Sequence, residues 1–168
     1  MLAVILSIGD ELVLGQTLDT NSAFLSAELA SRGISTLYHQ TVADDQPAIA
    51  RAIDLAAESV ELVIISGGIG PTDDDLTRHG LAQVLGQPLV VHEPSLQWIE
   101  GFFTRRGRPM PDRNKVQALH PQGTEIIKND QGTAPGIKVS FKRATIYVTP
   151  GVPHEMRVMF ERSIAPNL

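Results

Sequence analysis

The sequence predicts an α/β fold with a mostly parallel sheet and helices packed on both faces. Three observations predict it. Leu2 to Ile8 is an unbroken apolar run, the mark of a strand buried on both sides. Apolar strand-like runs alternate with segments of helical period across short connections. Clusters rich in glycine and acidic residues follow those runs, at the carboxyl ends of strands, where open parallel sheets bind ligands.

The elements follow in order. Asp19-Thr20-Asn21 offers N-cap candidates for a helix carrying Leu25 and Leu29 one turn apart and closing at Gly33. Ile34 to Val42 reads as a second strand. Asp45 to Ser59 reads as a helix, with Pro47 in its first turn and Ile49, Ile53 and Ala56 on one face. Leu62 to Ser66 is a third strand and Leu76 to Leu85 a third helix. Ser95 to Phe103 has Leu96, Ile99 and Phe103 on one stripe. Two more strands are expected near Glu125 to Lys128 and Ala144 to Val148. Between them "NDQGTAPG" reads as a hairpin or functional loop. "TPGVPHEM" opens a terminal helix.

The 168 residues are 42% hydrophobic and 20% charged, enough for one domain with a sizeable core. The net charge of −5 argues against non-specific nucleic-acid binding. With no cysteine, disulfides, thiolate metal sites and a cysteine nucleophile are excluded. No apolar run approaches the roughly 20 residues needed to span a bilayer. The apolar start lacks a basic n-region and a small-residue cleavage site, so a cytoplasmic location is expected.

Three clusters should converge on one edge of the sheet: Gly9-Asp10-Glu11 after the first strand, "GGIGPTDDD" after the third and "TPGVPHE" after the last. Gly67, Gly68 and Gly70 permit close backbone approach and an anion nest of successive N–H groups, with Thr72 beside them. The aspartates that follow pose a question, because carboxylates repel phosphate unless a cation intervenes. Magnesium-like ions prefer one or two carboxylates plus substrate phosphate oxygens. Asp74 and Asp75 are therefore the expected metal ligands and catalytic residues, one of them able to position water instead. Asp73 reads as a cap or a solvated charge. Asp10, Glu11, Asp44, Asp45 and Glu155 are further polar candidates. Thr20 and Asn21 carry two readings, ligand contact or helix capping. Gly132, Thr133 and Pro135 are expected to shape the opposite rim, and Pro150 and Gly151 to border the ligand. His39, His79, His92, His120 and His154 lack metal-ligand spacing. Trp98, Phe102 and Phe103 read as core or interface. Arg105, Arg106 and Arg108 read as solvated surface more than as anion steering.

Six stretches, "IGDELVLGQTLDTNSAFLS", "VADD", "SGGIGPTDDDLT", "RRGRPMPDRNKVQALHP", "NDQGTAPG" and "TPGVPHEM", run from Ile8 to Met156. In that order they resemble the N-terminal domain of the CinA (competence/damage-inducible protein A) family, part of the wider molybdopterin-binding fold of molybdenum cofactor biosynthesis proteins. The shared GGxGPTxDDxT pattern places an acidic family position at Asp75, where members of the wider fold use an acidic residue around a phosphate-bearing ligand. Two small departures are "VADD", where glycine often precedes the acidic pair, and His154, where a small polar residue is common.

The resemblance implies a three-layer α/β/α fold of the MogA/MoaB-like type. It implies a divalent-metal-dependent (Mg, Mn or Co) pyrophosphatase that splits ADP-ribose or related dinucleotides into AMP and a sugar phosphate. It also implies a homo-oligomer, dimer or trimer. Residues 1–168 are expected to form one domain of this type without the C-terminal deamidase domain that many family members carry. Alternative functions are molybdopterin binding or adenylylation, and a non-catalytic nucleotide-binding module, because a shared fold does not choose among them.

Overall fold

A computed structural model describes residues 1–168. The elements in chain order are β1 (Leu2–Ile8), α1 (Asp10–Val13), α2 (Thr20–Ser31), β2 (Ser35–Val42), α3 (Gln46–Ser59), β3 (Leu62–Ser66) and α4 (Thr77–Leu85). They continue as β4 (Leu89–Val91), α5 (Glu93–Thr104), a 3₁₀ segment (Asp112–Ala118), β5 (Leu119–Pro121), β6 (Glu125–Ile127), β7 (Gly136–Phe141), β8 (Ala144–Thr149) and α6 (Pro153–Met159). A π-helical turn at Phe160–Ile164 and a 3₁₀ turn at Ala165–Asn167 end the chain.

The main sheet has the order β2-β1-β3-β8-β7-β6. β2, β1, β3 and β8 run parallel, while β7 is antiparallel to both β8 and β6. β4 and β5 form a separate antiparallel ribbon. The unbroken apolar runs are explained by which face each residue occupies. Val4, Leu6, Val63, Ile65, Ile146 and Val148 pack toward Ile49, Ile53 and Ala56 of α3 and Leu81 of α4. The alternate residues Ala3, Ile5, Leu62, Ile64 and Tyr147 pack toward Leu25 and Leu29 of α2 and toward Met156 and Phe160. Strand period two thus feeds two separate cores, and the expected three layers follow. No helix is long and apolar enough to cross a membrane.

Capping fixes the helix starts. Asp19 accepts from the Ser22 amide at 3.0 Å, Asp45 from the Ala48 amide at 2.8 Å, and His92 Nδ1 from the Ser95 amide at 3.2 Å. α4 has no side-chain cap, so Asp73 is not the cap that the sequence suggested; the helix begins only at Thr77. β7 is an element the sequence reading lacks. It joins β8 through a hairpin at Lys142, a non-glycine residue with φ of 51°. Ion pairs from Lys142 Nζ to Asp54 (2.7 Å) and Glu58 (2.5 Å) hold that turn against α3.

Burial pushes the Asp19 carboxyl upward, but hydrogen bonds from the Ser22 hydroxyl and amide outweigh it and hold its pKa below the ordinary value. A depressed carboxylate stabilises the fold above its unfolded pKa, and that contribution disappears as pH falls through the folded one. Asp19→Ala should therefore cost about 1 kcal/mol near neutral pH. Chemical denaturation at neutral and strongly acid pH checks this. The gap between variant and wild type should shrink in acid, and a gap of constant size contradicts the cap's role.

Candidate functional site

All four parallel strands deliver their carboxyl ends to one edge, and a cavity of about 460 Å³ opens there. Ile8 and Gly9 follow from β1, Asp44 from β2, the Gly67–Asp75 loop from β3, and Pro150 and Gly151 from β8. Close packing at the base explains the glycines. A Cβ on Gly67, whose φ is 99°, would stand 2.5 Å from the Ile8 carbonyl oxygen, and one on Gly151 would meet the Gly67 Cα at 3.2 Å. The ends of β1, β3 and β8 therefore touch backbone to backbone.

The loop's hydrogen bonds decide which amides remain for a ligand. The Gly67 amide donates to the Thr149 carbonyl at 3.0 Å. Asp75 Oδ1 accepts from the Gly70 amide at 2.8 Å, and its Oδ2 accepts from the Thr72 amide at 2.9 Å and hydroxyl at 2.7 Å. The expectation that all three glycine amides face a phosphate is thus corrected, since Gly67 and Gly70 already donate within the protein. The amides of Gly68 and its neighbour Ile69 donate to no protein acceptor. Like the amides of Asp74, Gly151 and Val152 in the same lining, they are left for an anion.

Arg78 braces the same loop from beneath. It is 2% exposed, and its guanidinium donates to the carbonyls of Ile69 and Gly70, the latter at 2.6 Å. Its Nε is buried without a partner. Burial lowers the Arg78 pKa to about 10, with the Asp75 charge opposing that shift, so the residue stays cationic near neutral pH. Thr77 fixes the other end, its hydroxyl donating to the Gly67 carbonyl at 2.9 Å and its amide to the Gly68 carbonyl at 3.0 Å.

The candidate acidic residues divide into two sets. Glu11, Asp44, Asp74, Asp75 and Glu155 line the cavity. Asp10 and Asp45 do not. Asp45 caps α3. Asp10 and Asp44 clasp each other's backbone, the Asp10 amide donating to Asp44 Oδ2 at 3.1 Å and the Asp44 amide to Asp10 Oδ1 at 3.0 Å. Burial, reinforced by the charges of Asp10, Glu11 and Asp75, raises the Asp44 pKa against the opposing Asp10 hydrogen bond. Asp74 is exposed and its carboxylate accepts no protein hydrogen bond. No three histidine, aspartate or glutamate side chains are grouped to enclose a metal by themselves.

Thr20 and Asn21 lie beside a smaller cavity of about 130 Å³ that shares Ile8, Glu11 and Gly151 with the main one. Asn21 is structural on its amide side, donating at 2.9 Å to both Ser66 Oγ and the Gly151 carbonyl. On the opposite side Thr133 lines the main cavity, while Gly132 and Pro135 line a neighbouring hollow of about 100 Å³ with Trp98, Phe102 and Arg105. Arg106 stacks over Phe102 at 3.5 Å. No histidine lines the main cavity.

Two residues outside the sequence-based set belong here. Asn129 organises "NDQGTAPG": its Oδ1 accepts from the amides of Gln131 and Gly132, and its Nδ2 donates to the Ala134 carbonyl (3.0 Å) and to Glu155 Oε2 (2.7 Å). Gln117, from the 3₁₀ segment, is 3% exposed yet lines the cavity. An Asn three positions before a Gln was the available signal, hidden inside a basic, proline-broken stretch.

The match to known proteins agrees with this geometry. A family profile described as "Probable molybdopterin binding domain" covers residues 4–168. A "Putative competence-damage inducible protein" of Geobacillus sp. (strain WCH70) is 44% identical over 168 residues, all of this chain and 40% of the relative. One of the same description from Acetivibrio thermocellus is 42% identical over all of this chain and 41% of its own length. The chain thus spans about two fifths of the length of these curated relatives. The crystal structure of the protein CinA from Thermoplasma acidophilum superposes with a TM-score of 0.88 at 33% identity, covering 95% of this chain and 94% of that one. The molybdopterin biosynthesis enzyme MoaB from Thermus thermophilus shares the fold, with a TM-score of 0.66 at 20% identity over 99% of this chain and 91% of that one. Fold, loop and relatives together place the chain in the probable molybdopterin-binding domain family, among its CinA-type members.

Proposed function

We propose that this chain hydrolyses the diphosphate bond of ADP-ribose or a related dinucleotide, with a divalent metal, to give AMP and a sugar phosphate. The supporting observation is the cavity's charge pattern. Five carboxylates line it, and no lysine, arginine or histidine does. Two amides without a protein acceptor, those of Gly68 and Ile69, belong to residues lining the cavity at the strand ends, a place that suits an anion. An anion settles among five carboxylates only if a cation accompanies it.

The residues fit such a cation as a site completed by substrate. Mg²⁺-like ions take one or two protein carboxylates and fill the remaining positions with water and phosphate oxygens. Asp74 is free of protein donors, and Asp75 Oδ1 accepts only one hydrogen bond, so these two would hold it. A bound divalent ion supplies Lewis-acid charge and lowers the pKa of water. The chain's own groups do the rest. The Gly68 and Ile69 amides orient the phosphate. Asp44, with its raised pKa and its Oδ1 free of the Asp10 amide, accepts the proton of the attacking water. As water's oxygen bonds to phosphorus, the bond to the bridging oxygen breaks and the second phosphate leaves.

A second reading has one observation of its own. The matching family is described as molybdopterin-binding, so the same cavity could hold a pterin phosphate; pterin fluorescence copurifying with the protein would favour it. A cytoplasmic homo-oligomer, dimer or trimer, remains part of the proposal, and sedimentation analysis tests the oligomer.

Excess chelator should abolish release of AMP from ADP-ribose, and added Mg²⁺, Mn²⁺ or Co²⁺ should restore it. Full turnover in chelator overturns the metal assignment. Asp74→Asn and Asp75→Asn should each lower turnover by roughly 10²-fold or more, but they should separate in stability. Asp74→Asn leaves the melting temperature unchanged. Asp75→Asn lowers it, because an amide N–H₂ must face one of the loop donors that the carboxylate now accepts. Wild-type turnover in Asp74→Asn contradicts its role.

A further inference from the structure

We infer that Gln117 is a substrate-contacting residue that donates its amide N–H₂ to a phosphate oxygen, and that Asn114 is the positioning residue that decides which end of that amide faces the cavity. The inference rests on the proposal that an anionic nucleotide occupies the cavity, and it names how the protein itself grips that anion.

Among the side chains lining the cavity, Gln117 carries the only N–H donor. Two hydroxyls line it as well. That of Thr72 is taken by Asp75, and that of Thr133, on the far rim, can either donate or accept. The remaining polar side chains are carboxylates, which accept and cannot donate when ionised. A phosphate therefore finds unpaired backbone amides of the lining, among them those of Gly68 and Ile69, with Gln117 and at most one hydroxyl.

The orientation of the Gln117 amide is set from behind. Asn114, itself 6% exposed, donates through Nδ2 to Gln117 Oε1 at 2.9 Å, a buried contact. That bond fixes the oxygen inward, which leaves Nε2 as the outward atom. Nε2 donates to no protein acceptor, yet it is not among the side-chain atoms sealed from solvent without a partner, which are Asn21 Oδ1, Arg78 Nε and His79 Nδ1. In a residue that lines the cavity, an amide whose oxygen is held and whose N–H₂ is neither paired nor sealed from solvent is a donor available to a ligand. The 3₁₀ segment that carries both residues packs against α5 and β5, so the donor comes from a wall separate from the glycine loop. The anion would then be gripped from two sides.

Reversal of the amide is the test that only this arrangement predicts. Asn114→Asp replaces the inner donor with an acceptor, so Gln117 turns over and presents Oε1 to the cavity. Gln117→Glu keeps length and removes the donor directly. Equilibrium binding of AMP and of adenosine, each with Mg²⁺, is measured by calorimetry on wild type and both variants, alongside ADP-ribose turnover and melting temperature. Both variants should weaken AMP about tenfold, the scale of one hydrogen bond to a charged group, and leave adenosine unchanged. They should raise KM for ADP-ribose with a smaller effect on kcat. Asn114→Gln, which keeps a donor, should recover AMP binding toward wild type where Asn114→Asp does not. AMP binding at wild-type strength in both variants overturns the inference, as does equal weakening of AMP and adenosine, or no AMP binding by the wild type. If one variant fails to fold, the other carries the same comparison. Absent turnover with intact, variant-sensitive AMP binding overturns the hydrolase proposal and leaves this inference standing.

Discussion

The Gly67–Asp75 loop keeps its shape because opposite charges grip it from two sides. Beneath it, the Arg78 guanidinium holds the carbonyls of Ile69 and Gly70. Within it, the Asp75 carboxylate gathers the amides of Gly70 and Thr72 and the Thr72 hydroxyl. Carbonyls turned down toward a cation and amides turned inward toward a carboxylate leave the Gly68, Ile69, Asp73 and Asp74 amides of the loop without a protein acceptor. A buried guanidinium without these acceptors would be severely destabilising, so loop and arginine stabilise each other. The cavity's chemistry depends on that pairing more than on any single catalytic candidate.

This arrangement changes the meaning of three consecutive aspartates. They lie before the helix, not in its first turn, and they do different work. Asp73 is exposed. Asp74 is exposed with its carboxylate free of protein donors, and Asp75 is the clasp. The repulsion between an acidic loop and a phosphate is eased at Asp75 by three hydrogen bonds and by the Arg78 charge nearby. Asp44 has only the Asp10 amide to relieve it. It lies among Asp10, Glu11 and Asp75, and its raised pKa follows from burial and their charge. Gradation among carboxylates on one wall is how a site assigns one to a cation and another to a proton.

Much of this was legible in the sequence where local chemistry is strong. The continuous apolar runs of β1 and β3, the Asp19 cap and the strand-end glycines each announce themselves, whereas Asp45, read as a ligand candidate, proves to cap α3. β7 did not, although Ile137, Val139 and Phe141 alternate properly. Its turn runs through Lys142 and Arg143, and a left-handed lysine held by Asp54 and Glu58 gives none of the usual Gly, Asn or Asp signal. β4 and β5 are three residues each, too short for a periodic pattern. Which glycine amides stay free, and which way Gln117 points, are tertiary outcomes. They depend on Thr149, Asp75 and Asn114, and no spacing rule carries that information.

The central claim is that an anion enters this carboxylate-lined cavity in company with a divalent cation held by the loop. Anomalous diffraction from crystals grown with Mn²⁺ and AMP tests it most directly. The account predicts a manganese peak within coordination distance of an Asp74 or Asp75 oxygen and of a phosphate oxygen, with the Gly68 and Ile69 amides on the same phosphate. Ordered AMP in the cavity without manganese beside it, or with its phosphate turned away from those amides, would contradict the account.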